Sequence, residues 1–176
     1  MEITAFTKSE QAILQAFLID NNWPHHVNRT LTNQQVLQWF EEDKFTNENC
    51  TFIAKKEGQL LGFITIEDVE DEIVTIDMRV AEHARNQGVG TALLTHIQHD
   101  LFTIHKKQRI EGYTKAENLA MQKCFKKAGF VKEGYLRQAW RNQDGTISDS
   151  ILFAAIPSDW ATNLLNKEGK RDESYN

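Results

Sequence analysis

VAEHARNQGVGTALL, residues 80–94, joins an apolar, β-favouring run that ends at Val80 to a helical pattern that follows Gly90. Gly88 and Gly90 stand two apart at the mouth of that helix. Without a Cβ in the way, backbone N–H groups there can turn toward one point. The first helical turn adds N–H groups with no internal partner and the positive end of the helix dipole. The segment reads as a cradle for a diphosphate. Two common phosphate loops do not fit it. A GxGxxG dinucleotide loop needs a third glycine where Leu93 stands, and no acid sits on a following strand at the right distance. A P-loop needs a lysine behind its last glycine, and none follows Gly90.

Working outward, residues 73–80 alternate as a strand. Val74, Ile76, Met78 and Val80 share one face, and Asp77 and Arg79 the other. Residues 50–55 and 60–66 form a hairpin around Glu57-Gly58-Gln59, and residues 1–6 a short first strand. Thr7 with Glu10 and Thr32 with Gln35 are capping-box pairs. They open two helices with apolar stripes of Ile13, Leu14, Phe17 and Leu18, and of Val36, Leu37 and Phe40. The loop between them, Asn21 to His26, is aromatic and carries two histidines.

Downstream of the cradle, Leu93, Leu94, Ile97 and Leu101 point toward a core. A strand spans residues 109–114. Asn118 caps a helix whose Met121, Cys124, Phe125 and Ala128 share a face, and Gly129 stops it. Residues 131–141 and 147–155 form a hairpin with Asp144-Gly145 in its turn. The order of elements gives an α+β fold, a mixed sheet covered by helices. One domain spans residues 1–160. Residues 161–176 read as a polar C-terminal tail, frayed from Lys167.

The net charge of −5 comes with no basic stripe and no spaced stacking aromatics, which argues against a nucleic-acid binder. No apolar run approaches the roughly 20 residues of a membrane span. The acidic start, MEITAFTKSE, lacks the basic and apolar regions of a signal peptide. Cys50 and Cys124 show neither metal spacing nor a disulfide framework, which fits a reducing cytoplasm. His83, His96, His99 and His105 form no metal arrangement, so no metal is expected.

Arg85-x-x-Gly88-x-Gly90 behind a strand resembles the coenzyme A pyrophosphate loop of the GNAT superfamily of N-acetyltransferases. A second match, NLAMQKCFKKAGF from Asn118, resembles the superfamily's later segment, an asparagine-opened helix ending in Gly-Phe. A third, KEGYLRQAW from Lys132 through DGTISDSILFAAIPSDW to Trp160, is similar to the Rim-type branch, relatives of ribosomal-protein N-terminal acetyltransferases. The resemblance implies a mostly antiparallel twisted sheet with a splay between the fourth and fifth strands, flanked by about four helices. It implies acetyl-CoA as donor and a primary amine as acceptor, on a protein N-terminus or a small molecule. The pantetheine arm would bond to backbone near Met78 and Val80. The diphosphate would sit on the amides of Arg85, Asn86, Gln87, Gly88, Val89, Gly90 and Thr91. Asn118 would contact the pantetheine or hold a nearby water. Dimers are common in the superfamily, which leaves room for a homodimer.

Acetyl transfer requires an amine that has lost its proton, a donor for the developing oxyanion, and a route for the departing thiolate. Many superfamily members supply a tyrosine seven residues after the motif asparagine. Here that residue is Phe125, which has no hydroxyl and reads as core. Glu111 and Tyr113 share a face at the end of their strand. Glu111 reads as a base acting through water, or as a structural carboxylate paired with Arg109 or Arg137. Tyr113 reads as a proton donor or as a wall of the acceptor pocket; related enzymes place a glutamate at its position. Trp23 and His26, on a loop that borders the acceptor in this fold, and Asp77, on the neighbouring strand, are candidate acceptor contacts, with Asp77 also suited to a salt bridge with Arg79. Arg137 and Asp149, in the Rim-type segment, read first as a cross-strand tie and second as substrate contacts. Phe125 also leaves a rival reading, a non-catalytic acyl-CoA-binding or sensing module.

Overall fold

β-Branched and aromatic strand residues assemble into one seven-stranded sheet. The computed structural model describes residues 1–172. In chain order the strands are β1 (Glu2–Ala5), β2 (Cys50–Lys56), β3 (Gln59–Glu67), β4 (Ile73–Val80), β5 (Arg109–Lys115), β6 (Val131–Arg141) and β7 (Ile147–Ala155). They lie in the order β1-β2-β3-β4-β5-β7-β6. β4 and β5 run parallel, and the other neighbours antiparallel. The helices are α1 (Gln11–Asp20), α2 (Asn33–Glu41), α3 (Val89–His99), α4 (Leu119–Ala128) and α5 (Pro157–Asp172).

Local chemistry sets the boundaries. Both capping boxes form: Thr7 N–H donates to Glu10 and Thr32 N–H to Gln35, each at 2.9 Å. Consecutive positive φ angles at Glu57 (52°) and Gly58 (81°) close the β2–β3 hairpin with the twist its strands need. Strand alternation then divides the core between two faces. On one, Phe63 packs against Phe17 of α1 and against Phe45. On the other, Phe52 meets His96 of α3 at 4.9 Å between ring centroids. Of the apolar stripe expected on α1, Leu14, Phe17 and Leu18 are buried, whereas Ile13 is exposed.

The segment expected as a polar tail from residue 161 is helical, α5 continuing to Asp172. Its start is anchored. Asp159 accepts the Ile156 N–H, Trp160 packs on Phe102 and His99, and Asn163 donates to Ala128 O. Residues 173–176 lie outside the described residues.

What positions the site is the parting of β4 and β5. They pair only through Ile73, Val74 and Thr75 against Arg109, Ile110 and Glu111. Ala81 N–H donates to Leu61 O of β3. By alternation, the C=O of Ile76 and both the N–H and C=O of Met78 and Val80 therefore face the gap, while the Thr75–Glu111 register takes up Ile76 N–H.

Candidate active site

At the wide end of the splay lies the glycine loop. Asn86 (φ 61°) and Gly88 (φ 85°) are both left-handed. Among the described residues, the N–H groups from Asn86 to Thr91 have no hydrogen-bond partner, and the helix's first backbone bond runs from Ala92 N–H to Gly88 O. Gly88 is glycine for its φ, since an added Cβ would meet nothing within 4 Å. Gly90 is glycine for packing: a Cβ would lie 3.0 Å from Met78 Cε and 3.2 Å from Cys124 Sγ.

Arg85 turns its side chain away from the loop mouth. Its Nη2 donates to Asn22 O, and its Nε to Val80 O at 3.4 Å. It ties the loop to the α1–α2 connection and leaves only its backbone as a phosphate contact. Gln87 likewise donates to His83 O. Asn118 caps α4, its Oδ1 accepting Met121 N–H at 3.1 Å, while the residue also lines the cavity described next.

A cavity of about 410 Å³ fills the splay. Met78, Asn118, Met121 and Phe125 line it from the α3–α4 side. His25, His26, Glu67, Asp77, Tyr113 and Trp140 line it from the other. The sequence reading named His26, Asp77 and Tyr113 here but not Glu67 or Trp140. Glu67 comes in through register, since β3 pairs it with Thr75 and Thr75 Oγ1 donates to it. Trp140 depends on the bulge between Leu136 and Trp140, for which no sequence signal exists.

Trp23 is corrected. It is 2% exposed, donates Nε1–H to Leu18 O, and does not line the cavity. Its ring instead faces Arg79, whose guanidinium carbon lies 5.3 Å from the Trp23 and Trp39 ring centroids alike. Buried Arg79 in turn lies 3.8 Å from Asp77. Burial raises the Asp77 carboxyl pKa, but Arg79 and then His26 outweigh it and hold it below its ordinary value. His26 Nδ1 is 3.6 Å from the other Asp77 oxygen. Burial pushes the His26 pKa down to about 4, against the pull of Asp77, so the ring is neutral at pH 7.

Glu111 is held from two sides. Arg109 Nε donates to Oε1 at 2.6 Å and Tyr113 Oη to Oε2 at 3.0 Å. Arg109 also grips Glu133, and these two carboxylates, Glu133 first, raise its pKa. Of the two partners expected for Glu111, Arg109 is the one present. Burial pushes the Tyr113 phenol up, and its bond to Glu111 adds to that. The expected Arg137–Asp149 tie is replaced: Asp149 accepts from Tyr135 Oη and from Gln138 N–H, because Gln138 (φ 54°) sits in the bulge.

Among the described residues no group of histidine, cysteine or acidic side chains could hold a metal, and no helix is long and apolar enough to cross a membrane. A mixed sheet splayed between its parallel pair, with a glycine-opened helix at the splay's mouth, is the α+β arrangement expected from the sequence. Residues 12–130, more than half of the chain, match the Acetyltransferase (GNAT) family. The chain belongs to that family and is an N-acetyltransferase by that membership.

No curated protein matches the sequence. Among solved structures, the ribosomal-protein-alanine N-acetyltransferase from Brucella melitensis superposes with a TM-score of 0.73 at 22% identity, over 89% of this chain and 99% of that one. The ribosomal-protein-S5-alanine acetyltransferase from Vibrio fischeri gives 0.74 at 20% identity, over 90% and 93%. The spermidine N-acetyltransferase from Vibrio cholerae, in complex with CoA and spermine, gives 0.76 at 15% identity, over 91% and 97%.

Proposed function

We propose that the protein moves an acetyl group from acetyl-CoA to a primary amine that enters between the α1–α2 loop and the β6–β7 hairpin. One observation carries the reading. The free amides of Asn86 to Thr91 and the gap-facing backbone of Met78 and Val80 lead into a cavity that reaches acidic and aromatic groups on the far face of the sheet. These amides fit a diphosphate, and the open strand edge fits the amide groups of a pantetheine arm. Asn118 closes the opposite wall. Bound acetyl-CoA supplies the thioester.

The chain's own residues then handle the amine. Asp77, held ionised beside Arg79, attracts and orients the ammonium, with neutral His26 alongside. Tyr113 gives its own proton to Glu111, so the oxygen it turns to the cavity can accept one. We assign the amine's proton to Tyr113 Oη as the phenol's proton passes to Glu111 Oε2. Phe125 is a buried wall with no proton to give, so it would supply none to a departing thiolate.

Phe125 is also what favours the rival reading, an acyl-CoA sensor without turnover. Thiol release decides between them. With acetyl-CoA and a panel of amines, the purified protein is expected to release free thiol and form the amide. Tight coenzyme binding with no turnover across the panel would support the sensor. We further propose a cytoplasmic site of action, with a homodimer as the assembly to test by light scattering.

A further inference from the structure

β4 and β5 last pair at Thr75 and Glu111, so Ile76 and Gly112 are the first residues of the open splay. The cavity reaches this apex on the β4 side: Thr75 and Ile76 line it, and so does Phe125 of α4. Gly112 does not line it, because the Phe125 ring lies over it. A Cβ on Gly112 would stand 2.4 Å from Phe125 Cζ, 2.6 Å from its Cε1 and 3.4 Å from Ile76 Cδ1. The tip of the ring fills the notch that the missing side chain leaves in β5.

The ring is also fixed from behind. Phe153 stacks on it at 4.9 Å between centroids, and Phe130 tilts against it at 5.1 Å. All three rings are buried. A close-packed interior takes in extra methylenes only at a cost, since side chains must leave their preferred rotamers. Met78, the next cavity wall along β4, has little space behind it either: its Cε would lie 3.0 Å from a Cβ on Gly90. The apolar end of the cavity is therefore closed by a plug in two parts, an aromatic ring from α4 seated on a glycine of β5. With a smaller residue at position 125, the notch at Gly112 would open toward Phe153.

We infer that Phe125, seated on Gly112, sets the length of acyl group that the protein accepts: an acetyl group fits against the ring and a butyryl group does not. The inference rests on the acetyltransferase reading, which brings a thioester into the splay; the plug itself does not depend on it. Phe125 is then a specificity-determining residue, which selects by volume alone.

The test is titration calorimetry on the full chain with coenzyme A, acetyl-CoA and butyryl-CoA. Acetyl-CoA should bind at least about tenfold tighter than butyryl-CoA, because two more methylenes overpack a fixed wall. Phe125→Ala opens an apolar cavity of the kind that stays dry and takes up hydrocarbon. In it butyryl-CoA should match or pass acetyl-CoA, each newly buried methylene adding about fourfold. Phe125→Leu disturbs the core less and should shrink the gap at least about threefold. The gap in the unaltered protein needs no variant at all. Coenzyme A carries no acyl group and is the reference: the gap must close by a gain of butyryl-CoA over coenzyme A. Equal binding of the two thioesters by the unaltered protein, an undiminished gap in both variants, or closure without that gain overturns the inference. In each of these cases coenzyme A still binds and the acetyltransferase reading stands. No binding of coenzyme A or of either thioester by the unaltered protein removes that reading, and the inference with it.

Discussion

A Cβ on Gly112 would lie 2.4 Å from Cζ of Phe125. The Phe125 ring occupies the space that a side chain on β5 would take. It is 1% exposed and stacks on Phe153 at 4.9 Å between centroids, 13° from parallel. The same ring lines the cavity, so the wall of the site is continuous with the core. Gly112→Ala should therefore destabilise the fold by about 1–3 kcal/mol through overpacking. Urea denaturation measures it; a variant as stable as the parent would show that the ring moves freely.

The two loop glycines should fail differently. At Gly88 an added side chain has room but the wrong backbone, with strain of about 1–2 kcal/mol. Gly88→Val is expected to lower coenzyme A affinity at least tenfold, because it re-aims the amides. Gly90→Val drives a branched side chain toward Met78 and Cys124 and should lower the melting temperature as well. Calorimetry with coenzyme A and a melting curve on each variant check the pair. Unchanged affinity in Gly88→Val would remove the cradle.

Asp77 is the counter-charge of a buried arginine packed between two indoles. Asp77→Asn leaves Arg79 charged and unpaired, which costs about 3–5 kcal/mol when a buried pair is broken from one side. The Asp77→Asn/Arg79→Met double variant should recover part of that loss, since the stranded charge goes with it. Denaturation of single and double variants tests this. A double variant less stable than Asp77→Asn would show that the cation–π packing outweighs the ion pair. With either variant, kcat/KM for the amine should fall while coenzyme binding holds.

Local rules wrote much of this fold visibly into the sequence. The hairpin turn at Glu57-Gly58, the capping boxes, the stop at Gly129 and the loop at Gly88 each depend on a few adjacent residues. The splay was legible only through resemblance, since nothing in residues 76–80 alone says that their partner strand departs. The acceptor side was the least legible. Trp23 looked like a loop aromatic and is core, because its indole N–H reaches a carbonyl on α1 five residues back. Glu67 and Trp140 reach the cavity through register and a bulge, which are relations between strands. For Glu111 the pairing with Arg109 was legible from their spacing on one strand, whereas the bond from Tyr113 to its second oxygen was not.

His26 should leave a mark on the pH dependence of stability. Its pKa is about 4 in the fold and 6.5 ordinarily, so between these values the unfolded chain binds a proton that the folded chain refuses. More protons on the unfolded side mean that stability rises with pH across this window and is lost as pH falls from 6.5 toward 4. The lowered Asp77 pKa acts further down, its contribution present above the ordinary carboxylate value and lost as pH falls through the folded one. His25 is also pushed down by burial, so it adds to the slope in the same direction. His26→Gln should flatten the slope without abolishing it, and should leave the loss below pH 4 in place. Urea midpoints every half unit from pH 7 to about pH 3 give the comparison. An unchanged slope would mean that the imidazole takes up its proton in the folded chain, turned out of the cavity toward solvent.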